Sequence, residues 1–331
     1  MNSFGRLFRV SLFGESHGAG VGILVDGCPA GVPLEDGDFL PDLERRKPAA
    51  KGTTARVEPD EPETLSGVYH GRTTGAPIHL FFKNTNIRSE DYDIFRDIPR
   101  PGHADFTSRS KFGGFNDHRG SGHFSGRLTL GLVAAGVIAK KIIRPTVVQA
   151  RLGEAGGSAN IEEAIDRAVK EGDSVGGLIL CRIEPVPAGL GEPFFDSLES
   201  LIAHIIFSIP AVRGIEFGAG FEAARERGRN HNDLIVSADG KTETNHAGGI
   251  NGGISNGNPI LFRVAVKPTS SISIPQSTFN FKSGRREPLV IEGRHDACIA
   301  LRMPVIIEAA AAMVVADLML LERKIPRIFP K

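Results

Sequence analysis

"MPVIIEAAAAMVVADLMLLERK", Met303 to Lys324, is apolar on almost every face of a helical period. A helix of that kind has no side to give to water and is largely buried. "GRLTLGLVAAGVIAKKII", Gly126 to Ile143, is a second such helix, built of small residues, with Lys140 and Lys141 near the negative end of its dipole. Working outward, the segments around these two helices read as short strands. Leu7–Phe13 alternates Phe8, Val10 and Leu12 with Arg9 and Ser11. Val21–Val25 ends in an Asp-Gly turn, and "APIHLFFKN" (76–84), "GGLILCRIEPVP" (176–187) and "PILFRVAVKPTSS" (259–271) follow as further strands. "NIEEAIDRAVKEG" (160–172) is an amphipathic helix with Asn160 as N-cap and Gly172 beyond its end. "FDSLESLIAHIIFSI" (195–209) is another helix. Short alternating strands interleaved with buried helices favour antiparallel sheets over an all-parallel doubly wound sheet. The fold class is therefore α/β in the mixed α+β sense. No linker or repeat divides the chain, so residues 1–331 are expected to form one domain.

The totals exclude several functions. Basic and acidic side chains balance at 39 each, so the overall basic excess of a nucleic-acid or membrane-surface binder is missing. Cys28, Cys181 and Cys298 are scattered, without metal-ligand spacing, which fits a reducing cytoplasm and neither a disulfide frame nor a zinc site. The N-terminus lacks the pattern of a signal peptide. No window reaches the roughly 18 uncharged apolar residues of a membrane span. The 40 glycines, without low complexity, point to many tight turns or close backbone approaches. They concentrate in "HAGGINGGISNGNP" (246–259).

Six stretches carry chemistry. "FGESHGAG" presents His17 on a tight turn, either as a surface group or as a functional imidazole; Ser16 beside it points away, and the spacing is not that of a nucleophile elbow. "LERRKPAAKGTTAR" places Arg45, Arg46, Lys47, Lys51 and Arg56 within twelve residues, as a solvated face or as an anion site. "RPGHADF" sets His103 two residues before Asp105, an acid–base pair or a loop histidine, with no further ligands for a metal. "DHRGSGHFSGRLT" leads Arg119, His123 and Arg127 through glycines into a helix N-terminus. That is the form of an anion or cofactor loop, but neither a dinucleotide fingerprint nor a Walker A loop. "VKPTSS" is a phosphate- or ribityl-binding loop or a serine-rich turn. "EGRHDAC" puts Asp296 beside Arg294 and His295, as a base or as a structural ion pair.

Taken together, "GESHGAGVGILVDGCPAG", "LERRKP", "RPGHADFT", "GRLTLGLVAAGVIAKK", "HAGGINGGISNG", "KPTSS" and "GRHDAC" occur in an order and spacing that closely resembles the chorismate synthase family, from Phe8 to about Leu321. The resemblance implies a β-α-β sandwich with helices between antiparallel sheets, assembled as a homotetramer. It implies a cytoplasmic enzyme of the shikimate pathway and of aromatic amino-acid biosynthesis. The reaction is an anti-1,4-elimination of phosphate and a proton from 5-enolpyruvylshikimate 3-phosphate to give chorismate. Reduced FMN is required without net redox change, and NADPH is a possible reductant. By the same resemblance His103 lies near the departing phosphate, His17 is a second acid–base group, and Asp296 manages a proton at flavin N5. Flavin contacts map to His123, Phe124 and Ser125, to Pro210 and Ala211 in "SIPAVRG", to Gly252, to Lys267, Pro268, Thr269, Ser270 and Ser271, and to Arg294. Glycines 248, 249, 252 and 253 would let the backbone pass against the ring system. Arg46 and Lys51 fall at pyridine-nucleotide positions, and Arg45, Arg119 and Arg127 add cations for a substrate with one phosphate and two carboxylates. No metal, nucleic acid or membrane is implied. Many members read R-G-G-G-R-S-S-A-R where this chain reads "RGSGHFSGR", so His123 and Phe124 stand for an arginine and a serine. A flavin oxidoreductase using the same site, or a non-enzymatic anion-binding scaffold, are the competing classes.

Overall fold

The computed structural model describes residues 2–48, 53, 58–86, 90–291 and 295–329. Alternation shapes its strands. In Ile260–Val266, the buried residues are Ile260, Phe262, Val264 and Val266; in Ile78–Lys83 they are Ile78, Leu80 and Phe82. Each strand therefore offers one apolar face to a layer of helices. The first sheet has the order β1 (Ser3–Phe4), β2 (Arg9–Gly14), β3 (Gly20–Asp26), β7 (Ile78–Lys83), β4 (Glu63–Ser66). The second runs β10 (Val212–Phe217), β13 (Ile260–Val266), β9 (Gly177–Glu184), β8 (Val147–Ala155). All their pairings are antiparallel. Three small ladders complete the strands: β5 (Val68–Tyr69) with β6 (Arg72–Thr73), β11 (Ile250–Asn251) with β12 (Ile254–Ser255), and β14 (Gln276–Asn280) with β15 (Arg285–Leu289). The helices are α1 (Leu40–Arg46), α2 (Asp105–Phe112), α3 (Thr129–Ile142), α4 (Ile161–Glu171), α5 (Leu198–Ile206), the single turn α6 (Gly228–His231) and α7 (Met303–Leu321).

Two helices separate the sheets. α3 lies on the first sheet, where a Cβ at Gly131 would come 2.8 Å from Leu12 Cδ2 and 3.2 Å from Ile23 Cβ. Its other side meets α7, where a Cβ at Gly136 would stand 2.2 Å from Ala309 Cβ. α7 in turn faces the second sheet: the Glu308 carboxylate accepts from the Ala150 amide of β8 at 2.9 Å. The result is sheet, helices, sheet: the two apolar helices are buried as their patterning predicts, and the layering is the one that the family resemblance implies. The buried side chains of both sheets and both helices form one continuous cluster.

α7 and its lead-in, Ile299–Leu321, are long and apolar enough to span a membrane by composition, yet 83% of their apolar 18-residue window is buried inside the molecule. Its two acids explain how it is anchored there. Glu308 receives Arg45, Lys140 and the Ala150 amide, and Asp317 receives the backbone amides of Arg6, Leu7 and Phe8.

The glycine-rich 246–259 segment makes close approaches within the chain itself. Gly248, Gly249 and Gly253 all have positive φ, and a Cβ on each would strike the chain's own atoms. Those atoms are Gly218 N at 2.5 Å, Pro259 O at 2.5 Å and Ser197 Cβ at 2.7 Å. These glycines serve a close self-approach of loops beside β10 and α5, and Gly252 tips the β11–β12 turn with open space around it.

Candidate active site

The turn after β2 carries His17 into the interior, where it is 5% exposed. Gly120 makes room for it, because a Cβ there would lie 2.4 Å from His17 Nε2. Tyr92 packs edge-on against the same imidazole, 5.1 Å between centroids. The 119–124 segment that supplies Gly120 is a kinked turn, with Gly120, Ser121 and Gly122 all at positive φ. Ser121 is the non-glycine member, a conformation that costs an L-residue about 1–2 kcal/mol. Ser125 then caps the turn leading into α3, its Oγ accepting from the Arg127 amide at 3.3 Å.

Around these loops lies a 290 Å³ cavity lined by Arg46, Arg100, Arg127 and Arg302, with Glu58, Asp60 and Asp296 among them. Asp60, 3% exposed, joins two of the cations: Arg46 Nη2 at 2.6 Å and Arg127 Nη1 at 2.9 Å. Arg127 also donates to Asn84 Oδ1 and the Lys83 carbonyl. Burial pushes the Arg46 guanidinium down to about 10, opposed by Asp60 and reinforced by the cations Arg302 and Arg127. Arg302 donates to the Arg46 carbonyl at 2.9 Å and to Asp296 at 3.3 Å. Three fully buried polar atoms of this lining, Ser16 Oγ, Arg46 Nε and Thr269 Oγ1, have no hydrogen-bond partner among the described residues. Buried polar groups are rarely left so, and three around one cavity mark the place of a polar ligand.

A larger 820 Å³ cavity adjoins the first through Ser121, Ser125, Pro210, Thr269 and Ser271, which line both. Its walls include His103, His123, Phe124, Ala211, Arg213 and the loop Lys267–Ser271 that follows β13. Lys267 donates to Ser270 Oγ at 2.6 Å, and Ser270 donates to the Gly102 carbonyl at 2.7 Å, tying this loop to the His103 turn. Burial, then Arg213, lowers the Lys267 ammonium below its ordinary value. Two cations side by side suit an anionic group.

His103 stands where the chain enters α2. Its Nδ1 lies 2.7 Å from Asp105 Oδ1, and its Nε2 lies 3.3 Å from Ser121 Oγ. Arg100 grips Asp105 with Nε and Nη2, both at 2.8 Å. Burial raises the Asp105 carboxyl, but the bonds from Arg100 and His103 outweigh it and hold the group well below the usual carboxylate range.

Comparison with known proteins decides the family. A sequence model described as chorismate synthase matches residues 8–320. Chorismate synthase of Chitinophaga pinensis is 62% identical over 330 residues, covering 99% of both chains. Those of Dehalococcoides mccartyi and Pyrococcus abyssi are 45% and 43% identical, over 99% and 96% of this chain. The chain belongs to the chorismate synthase family. A crystal structure of chorismate synthase superposes with a TM-score of 0.73 at 27% identity, covering 96% of this chain and 93% of the other. Membership implies an enzyme acting on a small molecule.

Most of the residues that the family resemblance singles out come together. Arg46, Ser125, Arg127, Pro210, Thr269, Ser271 and Asp296 line the smaller cavity, with His17 directly behind Gly120. His103, His123, Phe124, Ala211, Lys267, Pro268 and Ser270 line the larger. His123 is fixed by the Gly14 carbonyl, 2.9 Å from Nδ1. Three do not join them. Arg45 turns away to bind Glu308 at 2.7 Å, on the far side of α1 from Arg46. Arg119 folds back onto Asp117 at 2.9 Å with its side chain 44% exposed. Gly252 belongs to the β11–β12 turn, outside both cavity linings. Lys51, Arg56 and Arg294 lie outside the described residues. The site also holds residues that sequence reasoning passed over: Arg100, Arg302, Asp60, Glu58, Tyr92 and Ser121. Elsewhere, Glu226, His231 and His246 bring three ligand-type atoms within 4.8 Å, but His231 Nδ1 is already bonded to Glu226 at 2.6 Å.

Proposed function

We propose that this chain is a carbon–oxygen lyase that converts 5-enolpyruvylshikimate 3-phosphate to chorismate by anti-1,4-elimination of phosphate, the last step of the shikimate pathway. The carrying observation is the arginine-lined cavity with its three unpartnered polar atoms. A substrate with one phosphate and two carboxylates supplies acceptors for Arg46 Nε and the surplus guanidinium donors. Arginine's fork is suited to both kinds of anion. The low polarity of the buried setting strengthens each of these contacts.

Reduced FMN fits the adjoining cavity, whose 820 Å³ lies within the usual range for cofactor sites. Ser125, Pro210, Ala211 and the Lys267–Ser271 loop would hold it, with Lys267 and Arg213 facing its phosphate and the Thr269 hydroxyl finding a partner. Held there, reduced flavin would supply electron density that eases phosphate departure and a site for the substrate hydrogen, with no net redox change. His103, oriented by Asp105, donates the proton that neutralises the leaving phosphate. Asp296, which accepts from Arg302, is the group that would hold a proton at the flavin side. His17, buried behind Gly120, is the second acid–base group. NADPH is the proposed source of reducing equivalents, a homotetramer the proposed assembly and the cytoplasm the proposed location. The three buried free cysteines support the last of these.

The Asp296→Asn variant tests the assignment. If Asp296 handles a proton, single-turnover chorismate formation slows by about 10²-fold or more while the melting temperature stays close to the parent's. A near-normal rate with a clearly lowered melting temperature would make Asp296 only the ion-pair partner of Arg302.

A further inference from the structure

The excursion 218–247, between β10 and the glycine-rich segment, closes on its own base. The single turn α6 brings the chain back on itself: the His231 amide donates to the Arg227 carbonyl at 3.0 Å, and the His231 ring meets Glu226 Oε2 through Nδ1 at 2.6 Å. Asp233 fixes the other end. Its carboxylate accepts from the His246 amide at 2.7 Å, the Ala247 amide at 2.9 Å and the Thr244 hydroxyl at 2.6 Å. The Ala219 amide donates to the His246 carbonyl at 2.8 Å. The His246 imidazole is thereby set beside that of His231, with 5.7 Å between centroids and 38° between planes.

One ligand atom from each of Glu226, His231 and His246 lies within 4.8 Å of the other two. Two imidazoles and one carboxylate suit zinc and its transition-metal neighbours, whereas magnesium and calcium call for oxygen ligands. Zinc–nitrogen bonds of about 2.0–2.1 Å place tetrahedral donors roughly 3.3 Å apart. The Glu226–His231 pair has to open and the wider separations to close, each by about 1.5 Å or less, which side-chain rotation supplies. Arg225, next to Glu226, pairs with Glu222 instead, and among the described residues His231 is the ion-pair partner of Glu226. The His246 imidazole makes no hydrogen bond among the described residues; its contact is the ring of His231. The His231 and Glu226 side chains are 32% and 30% exposed, which gives an ion a way in and leaves its fourth position to water.

We propose that Glu226, His231 and His246 form a binding site for one divalent ion of the zinc class, which ties α6 and the stretch before it to the start of the glycine-rich segment. The Glu226–His231 hydrogen bond is the contact these groups make without the ion. On binding, the ion takes the place of the proton between them. The His231 ring proton moves from Nδ1 to Nε2, Nδ1 and the carboxylate turn their lone pairs to the ion, and His246 supplies the third donor. No electron is transferred. Because the ligands come from both ends of the excursion, the ion holds its base closed where Gly218 and Gly248 already meet, a Cβ on either coming 2.5 Å from the other's amide nitrogen. None of the three ligands lines either active-site cavity, so the ion has no part in the proposed elimination.

The full chain, stripped of metal with a chelator and titrated calorimetrically with Zn²⁺, should bind one equivalent, while Mg²⁺ at the same concentration gives no binding. Co²⁺ should produce the intense visible absorption of a tetrahedral site. Glu226→Gln, His231→Ala and His246→Ala should each weaken Zn²⁺ binding by about 100-fold or more, beyond the usual loss when only an outer partner of a ligand is removed. His70→Asn, on the exposed turn between β5 and β6, controls for adventitious binding to a surface histidine and should bind Zn²⁺ as the parent does. Zn²⁺ should raise the melting temperature of the parent and of His70→Asn but not of the other three. Glu226→Gln keeps the shape of the side chain and decides the matter should either histidine variant fold poorly. A parent that binds no Zn²⁺ overturns the site. So does a Glu226→Gln affinity within about threefold of the parent's, or a loss in His70→Asn as large as in the others.

Discussion

Adjacent residues on one helix project about 100° apart, which is why "ERR" could not be read as a single cation cluster. Arg46 turns inward to Asp60 and Arg45 turns to Glu308. The histidines and Asp296 were legible because glycines and loop context isolate them in short motifs. Arg100 sits three residues before His103 and five before Asp105, a spacing that could have flagged it. Arg302 precedes an apolar helix, and Asp60 has no motif at all. Their roles come from three-dimensional convergence. Asp60 holds two buried guanidiniums, so Asp60→Ala leaves both without their carboxylate. We expect a loss of about 3–5 kcal/mol in urea unfolding, the usual cost of breaking a buried pair. A change below about 1 kcal/mol, as for an exposed ion pair, would mean that the cations find other partners. Asp105 makes a pH prediction. Its folded pKa is depressed, so its contribution is present above the unfolded value of about 3.9 and is lost as pH falls toward the folded one. The stability difference between the parent and Asp105→Asn should shrink as pH is lowered from about 6 to about 3. A difference independent of pH would contradict the pairing with Arg100 and His103.

Caps and periodicity made the regular elements readable. Asn160 accepts from the Glu163 amide, and Gly172 takes the left-handed position after α4, as the sequence predicts. Ser197 caps α5 in the same way. The apolar run from Gly126 begins as helix three residues later, because Ser125 first closes a tighter turn over 126–128. α2 escaped the sequence reading: "DFTSRSKF" is polar with little amphipathic pattern, and Ser108 is its buried residue. The glycine run was legible only in part. Close backbone approach was correctly inferred, but composition cannot say whether the neighbour is a cofactor or the chain itself. The helix pair gives a sharper test. Gly136→Ala would set a methyl 2.2 Å from Ala309 Cβ and 2.5 Å from its Cα, and a helix backbone cannot yield as a side-chain end can. We expect a destabilisation of about 1–3 kcal/mol in thermal melts. Gly228→Ala, where nothing lies within 4 Å, serves as the neutral control. Equal melting temperatures for the two variants would show that α3 and α7 do not cross at Gly136.

Two sheets clamp a helical layer, and the loops at one end of that sandwich close around two adjoining cavities. Burial of the two helices was foreseeable from their lack of a polar face and the layering only from the family resemblance, whereas the convergence of turns at 14–18, 100–105, 119–127, 267–271 and 295–302 was not, since each is separated by whole strands or helices. Because the cavities share Ser121, Ser125, Pro210, Thr269 and Ser271, an occupant of one forms part of the wall of the other. FMN and substrate should therefore bind interdependently, each tightening the other's dissociation constant in equilibrium titrations. Equal constants with and without the partner would mean that the cavities are energetically separate. The proposed reaction is an elimination, not a net oxidation or reduction. Its most direct test is an anaerobic incubation of the purified chain with 5-enolpyruvylshikimate 3-phosphate and a substoichiometric amount of chemically reduced FMN. We expect many equivalents of chorismate per flavin, an equal amount of released phosphate, and flavin still reduced at the end. No chorismate, or reduced flavin consumed one-for-one with product, would contradict it.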